Sequence, residues 1–85
     1  MDRNTIVAGV KEILIPFLGV DKAKLAAASE DADISKDLGI KSTDTINIVL
    51  ETEKKWNIAF EDAEIDALEK VTIKSVVDLV MSKLS

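Results

Sequence analysis

Apolar residues recur at helical spacing over most of the chain, and the intervals between the stripes divide it into a few elements. Ile6, Val7, Val10, Ile13, Leu14 and Phe17 lie three or four positions apart, which predicts a helix from about Asn4 to Ile15. Pro16 should end or kink that helix, because its ring clashes with the carbonyl four residues back, and Gly19 marks the exit. Residues 19–41 then form a long connection. Leu25, Ile34, Leu38 and Ile40 supply apolar anchors within it, so it is expected to be ordered and packed, with Asp21 capping a short turn through Lys24.

A second long helix is predicted from Ser42, a favoured N-cap residue type, to about Trp56. At about 100° per residue, Ile48, Thr52, Thr45, Trp56, Val49 and Ile46 fill one broad arc of it. Asp44, Asn47, Glu51 and Lys54 fill the opposite arc, and Leu50 lies at the border, partly exposed. Glu61 to about Leu68 suits a short third helix, with Glu61 or Asp62 near its start, where a carboxylate favours the helix dipole. Thr72 has the place of a cap. Ile73, Val76, Val77, Val80, Met81 and Leu84 give the last helix its apolar stripe. The β-branched residues there also suit a strand, but their spacing over twelve residues favours helix. Three long helices and one short one, with a long first loop, predict an all-α, small irregular four-helix bundle in a single domain spanning residues 1–85.

Composition narrows the chemistry. With 85 residues there is one modest core, and with no Cys and no His there are no disulfide, no common zinc ligands, no Cys nucleophile and no His-based triad. An enzyme would have to work with isolated Ser, Lys or carboxylate groups, so that class is set aside. The absence of Cys fits a reducing cytoplasm. Eleven basic against sixteen acidic residues give a net charge of −5. That balance argues against nucleic acid and anionic membrane surfaces and favours partners with basic patches. The apolar run Ile13–Val20 contains Pro16 and Gly19 and is far too short to span a membrane, so the chain reads as soluble and without membrane insertion. The run Asp31, Asp33, Ser35, Asp37 has a faint calcium-loop spacing. It fails where Lys36 stands in the Gly position and Ser42 in the position of the bidentate Glu, so no metal site is expected.

The string Asp37-Leu38-Gly39-Ile40-Lys41-Ser42-Thr43-Asp44 resembles the prosthetic-group site of acyl carrier proteins. The resemblance continues through residues 45–53, Trp56, Ile58, Phe60-Glu61-Asp62 and the Thr72 start of the last helix, and so covers essentially the whole chain. It implies a carrier, not an enzyme. A 4′-phosphopantetheine arm would be joined to Ser42 through a phosphodiester, with Gly39, Lys41 and Asp44 nearby, and acyl groups would ride on it as thioesters. The implied partners are a phosphopantetheinyl transferase and the acyl-transferring and synthase enzymes of fatty-acid, polyketide or related biosynthesis. They would meet Asp37, Asp44, Leu50, Glu51, Asp62 and Glu64. Ile46, Val49, Thr52, Ile65, Leu68 and Val77 would line an acyl cleft, and a monomer is the family expectation. The residues suit this role in their own right. A helix N-terminus with free N–H groups favours a phosphate, and Gly39 permits a tight approach of the loop.

Several positions depart from the family pattern. Lys41 stands where the family has Asp, Thr43 where it has Leu, Asn47 where an acidic residue is common, and Thr52 where an apolar residue faces the cleft. Their clustering around Ser42 points to a specialised carrier. It also keeps open a carrier-fold protein-interaction module in which Ser42 is unmodified and acts only as a cap.

Overall fold

In the computed structural model, which describes residues 2–66 and 71–84, the chain is all-helical apart from its loops, in keeping with the expected class. Helix α1 spans Arg3–Leu14 and passes directly into a tight 3-10 turn, Ile15–Phe17, that contains Pro16. Asp2 caps α1: its carboxylate accepts from the Thr5 N–H and hydroxyl, both at 2.8 Å, and these bonds lower its pKa. The residues from Lys22 to Ala27, expected as a turn, form a short helix, α2. Ala, Lys and Leu all favour helix, and the single buried anchor Leu25 is too little for periodicity to reveal it. Helix α3 is Thr45–Trp56, α4 is Asp62–Asp66 and α5 is Ile73–Leu84. Among the described residues there are therefore five α-helices, not four.

The core forms where α1 crosses α5, with α3 packed against α1. Ile6, Val10 and Leu14 of α1 meet Ile48 of α3 and Ile73, Val76, Val77 and Val80 of α5, all buried. At Gly9 a Cβ would come within 2.7 Å of the Trp56 ring, so the absent side chain lets α1 and α3 approach closely. Trp56 itself is half-buried against the core. The expected anchors of the long connection are all buried, namely Leu25, Ile34, Leu38 and Ile40.

Polar contacts fix the same loop at the start of α5. The Ile34 N–H donates to Val71, and the Lys74 N–H donates to Glu30 at 2.8 Å. Arg3 reaches from the other side, donating to the Glu30 carboxylate at 2.9 Å and to Asp78 at 2.8 Å, which ties α1, loop and α5 together. Thr72 caps α5 reciprocally, its Oγ1 accepting from the Ser75 N–H while Ser75 Oγ accepts from the Thr72 N–H.

Candidate functional site

Ser42 opens a short 3-10 turn, Ser42–Asp44, that leads into α3. This corrects the expected cap. The α-helix starts at Thr45, and its N-cap is Asp44, with no side-chain capping bond. The turn is closed by the Asp44 N–H donating to the Lys41 carbonyl at 3.0 Å. Lys41 and Thr43 on either side of Ser42 are exposed, while Asp44 is half-buried.

The approach to Ser42 is tightly constrained. Gly39 has φ 66°, the left-handed region that glycine occupies without strain. Leu38 and Ile40 on either side of it are buried. The Ile40 N–H donates to Ile34 at 3.0 Å, and the Leu38 carbonyl accepts from the Gly19 N–H at 3.1 Å. Asp37 is exposed, but one of its carboxylate oxygens accepts from the Asp33 N–H at 2.8 Å. Asp33 in turn accepts from the N–H groups of Ser35 and Lys36. Asp33 and Asp37, two members of the acidic run with calcium-loop spacing, thus each direct a carboxylate oxygen to the run's own backbone.

On α3 the outward face carries apolar as well as charged groups. Leu50 is 48% exposed, as its border position suggests. Ile46, placed by the sequence on the inward arc and in the acyl cleft, is 65% exposed. It stands about 160° round the helix from Ile48, so the buried stripe is narrower than the arc drawn for it. Ile46 and Leu50, one turn apart, form an exposed apolar pair that periodicity assigned to two different environments. Glu51 is exposed, and Lys54 lies 3.6 Å from its carboxylate. These two residues and Lys55 also rim a shallow groove of about 580 Å³, floored by Ile13, Pro16 and Phe17. No sequence signal marked this groove, because its floor joins the last turn of α1 to the 3-10 turn that follows it.

Of the other proposed cleft residues, Val49, Thr52 and Val77 are buried, and Ile65 is half-buried. Leu68 lies outside the described residues. The Thr52 hydroxyl donates to the Ile48 carbonyl at 2.7 Å, so its burial leaves no donor unsatisfied.

Of the acidic docking candidates near α4, Asp62 is exposed. Glu64 is not a free carboxylate. It accepts from the Glu61 N–H at 3.0 Å, capping α4, and from Lys83 on α5 at 2.6 Å. Those bonds, Lys83 first, lower its pKa, and the same contact raises that of Lys83. Sequence distance concealed the pairing, since the two residues are far apart in the chain. Glu53, which drew no attention in the sequence, accepts from the Phe60 N–H at 2.9 Å and holds the segment after α3.

Comparison with known proteins places this arrangement among its relatives. No family profile matches the chain. An acyl carrier protein of Guillardia theta is 33% identical over 100% of this chain and 99% of its own length. One from Akkermansia muciniphila is 35% identical over 84% of this chain and 85% of its own. One from Thermotoga maritima is 29% identical over 96% of this chain and 95% of its own. The first two relatives match at 33% and 35% identity over most or all of both chains, and the chain belongs to the acyl carrier protein family.

Proposed function

We propose that the protein carries acyl groups on a 4′-phosphopantetheine arm attached to the Ser42 hydroxyl, and presents them to partner enzymes of fatty-acid, polyketide or related biosynthesis. The observation that carries this reading is the placement of Ser42 at the opening of the turn into α3, between exposed Lys41 and Thr43, at the end of a segment fixed by buried neighbours. The residues fit the group. A phosphodiester needs a hydroxyl that a transferase can approach, and the residues on either side of Ser42, Lys41 and Thr43, are exposed. When bound, the arm supplies a terminal thiol that forms thioesters. The chain itself supplies the anchor and the surface around it.

The outward face of α3, with Ile46, Leu50 and Glu51, and the exposed Asp62 suit docking by enzymes with basic patches. Exposed charge pairs contribute only about 0–1 kcal/mol each, so such contacts serve steering and fast exchange rather than tight binding. A carrier that must leave each enzyme needs that regime. Lys41 and Asn47 reduce the acidity near Ser42, Lys54 reduces that of α3 further, and Thr43 replaces an apolar side chain, which supports a specialised carrier over one serving general fatty-acid synthesis.

Intact mass, measured before and after incubation with coenzyme A and a broad-specificity phosphopantetheinyl transferase, tests the proposal. Wild type should gain one phosphopantetheinyl group, and Ser42→Ala should gain nothing. If wild type gains nothing with any transferase tried, including one from the native source, the protein is an interaction module whose partner binding is indifferent to Ser42→Ala. Replacement of a general carrier in several fatty-acid synthesis enzymes with undiminished rates would refute the specialised role.

A further inference from the structure

We infer that Gly19 is a positioning residue for the modification of Ser42, an assignment that rests on reading Ser42 as the attachment site. Gly19 follows the turn at the end of α1, and its backbone runs directly against that of Gly39. A Cβ on Gly19 would strike the Gly39 carbonyl oxygen and lie 3.1 Å from the carbonyl carbon and 3.2 Å from Cα. A Cβ on Gly39 would lie 3.1 Å from the Gly19 Cα. Each obstruction is backbone, which cannot swing aside as a side chain can. The Gly19 N–H adds a hydrogen bond to Leu38 at 3.1 Å.

Consequences run forward along the chain. On the far side, Leu38–Ile40 is held by the burial of Leu38 and Ile40 and by the Ile40 bond to Ile34. Ser42 follows two residues after Ile40, and the Lys41 carbonyl closes its turn. The α1 side cannot yield easily, because Leu14 is fully buried and the Leu18 N–H is bonded back to Ile15. A group forced between Gly19 and Gly39 therefore strains both runs, and the second of them leads directly to Ser42. The proposed docking residues of α3 lie beyond that run in the chain.

Gly9 provides a matched control. A Cβ there meets the Trp56 ring at 2.7 Å and Lys55 Cε at 2.9 Å, at the opposite end of α3 from Ser42. Gly19→Ala and Gly9→Ala thus insert the same methyl into two close crossings, only one of which leads to Ser42.

The experiment measures transfer of phosphopantetheine to wild type, Gly19→Ala and Gly9→Ala at a temperature where all three show native helical circular dichroism. Gly19→Ala should lower kcat by roughly tenfold to a hundredfold, as about an ångström of misplacement does, with KM nearly unchanged. Gly9→Ala should keep wild-type kinetics despite its lower stability. Amide hydrogen exchange of the unmodified proteins provides a readout that does not depend on modification. Protection at Ile40 and Asp44 should fall in Gly19→Ala and persist in Gly9→Ala. Should Gly19→Ala fail to fold, a backbone ester replacing the Gly19 N–H removes the Leu38 bond without adding an atom, and it should reduce kcat in the same direction. Unchanged kcat in Gly19→Ala or, if that variant does not fold, in the ester overturns the assignment, as does an equal loss in Gly9→Ala. Wild type that accepts no phosphopantetheine overturns the carrier reading instead, and the exchange data then judge the Gly19–Gly39 geometry on their own.

Discussion

The two ends of α3 are secured by different means. Before Ser42, buried apolar side chains and a contact between two glycine backbones fix the chain, and no ionisable group takes part in the crossing itself. Beyond Trp56 the chain is fixed largely by polar groups. Asn57 adopts a left-handed conformation at φ 53°, and the Ile58 N–H returns to the Glu53 carbonyl at 3.0 Å, a helix-terminating pattern. The Glu53 carboxylate holds Phe60, and Glu64 with Lys83 holds α4 to α5. The first arrangement is close-packed at its crossing, as suits a segment that presents one residue in one place. The second can be loosened one bond at a time.

Substitutions at the two ends should therefore differ in size and in their dependence on solution conditions. The largest loss is expected at the approach. Leu38→Ala empties a buried site and should cost roughly 2–5 kcal/mol, read by urea unfolding, with little change between pH 5 and 8. A loss below 1 kcal/mol would show that this segment is not part of the core. At the far end Asn57→Ala places a Cβ-bearing residue without a helpful side chain in the left-handed region, and should cost about 1 kcal/mol. Asn57→Gly should be neutral or stabilising, and the pair of midpoints distinguishes backbone strain from a lost side-chain contact.

The smallest effect concerns Glu64 and Lys83, and its sign follows from the two shifts. The folded pKa of Glu64 is lowered, so its contribution is present above the unfolded carboxylate pKa and fades as pH falls through the folded value. That of Lys83 is raised, so its contribution is present below the unfolded lysine pKa and fades as pH rises through the folded value. The pair should support α4 across the neutral range and release it at both extremes. Glu64→Gln should flatten the acid side of the stability profile relative to wild type. A profile identical to that of wild type would place the α4 attachment elsewhere.

Much of the site was legible before any fold was known because its signals are local. Ser42, Gly39 and the acidic positions lie in one short string, and the cap at Thr72 is a matter of residues three apart. Errors arose where a residue's environment depends on how far a neighbouring element extends. Ile46 falls on the apolar side of a helical wheel, but the buried stripe of α3 is too narrow to include it. Glu64 reads as one more acid on an acidic surface until Lys83 is brought against it. Arg3 carries no pattern at all, although it joins α1, the loop and α5.

Helical periodicity, capping residues and the Ser42 string are properties of neighbouring residues, so the sequence by itself determined the helical class and the family, and it singled out Ser42 as the proposed residue to modify. The meeting of Gly19 with Gly39, the outward turn of Ile46 and the pairing of Glu64 with Lys83 join residues far apart in the chain or depend on the area one helix covers on another. Only packing decides such contacts, because their free energy arises once loop closure and burial have fixed which surfaces face each other.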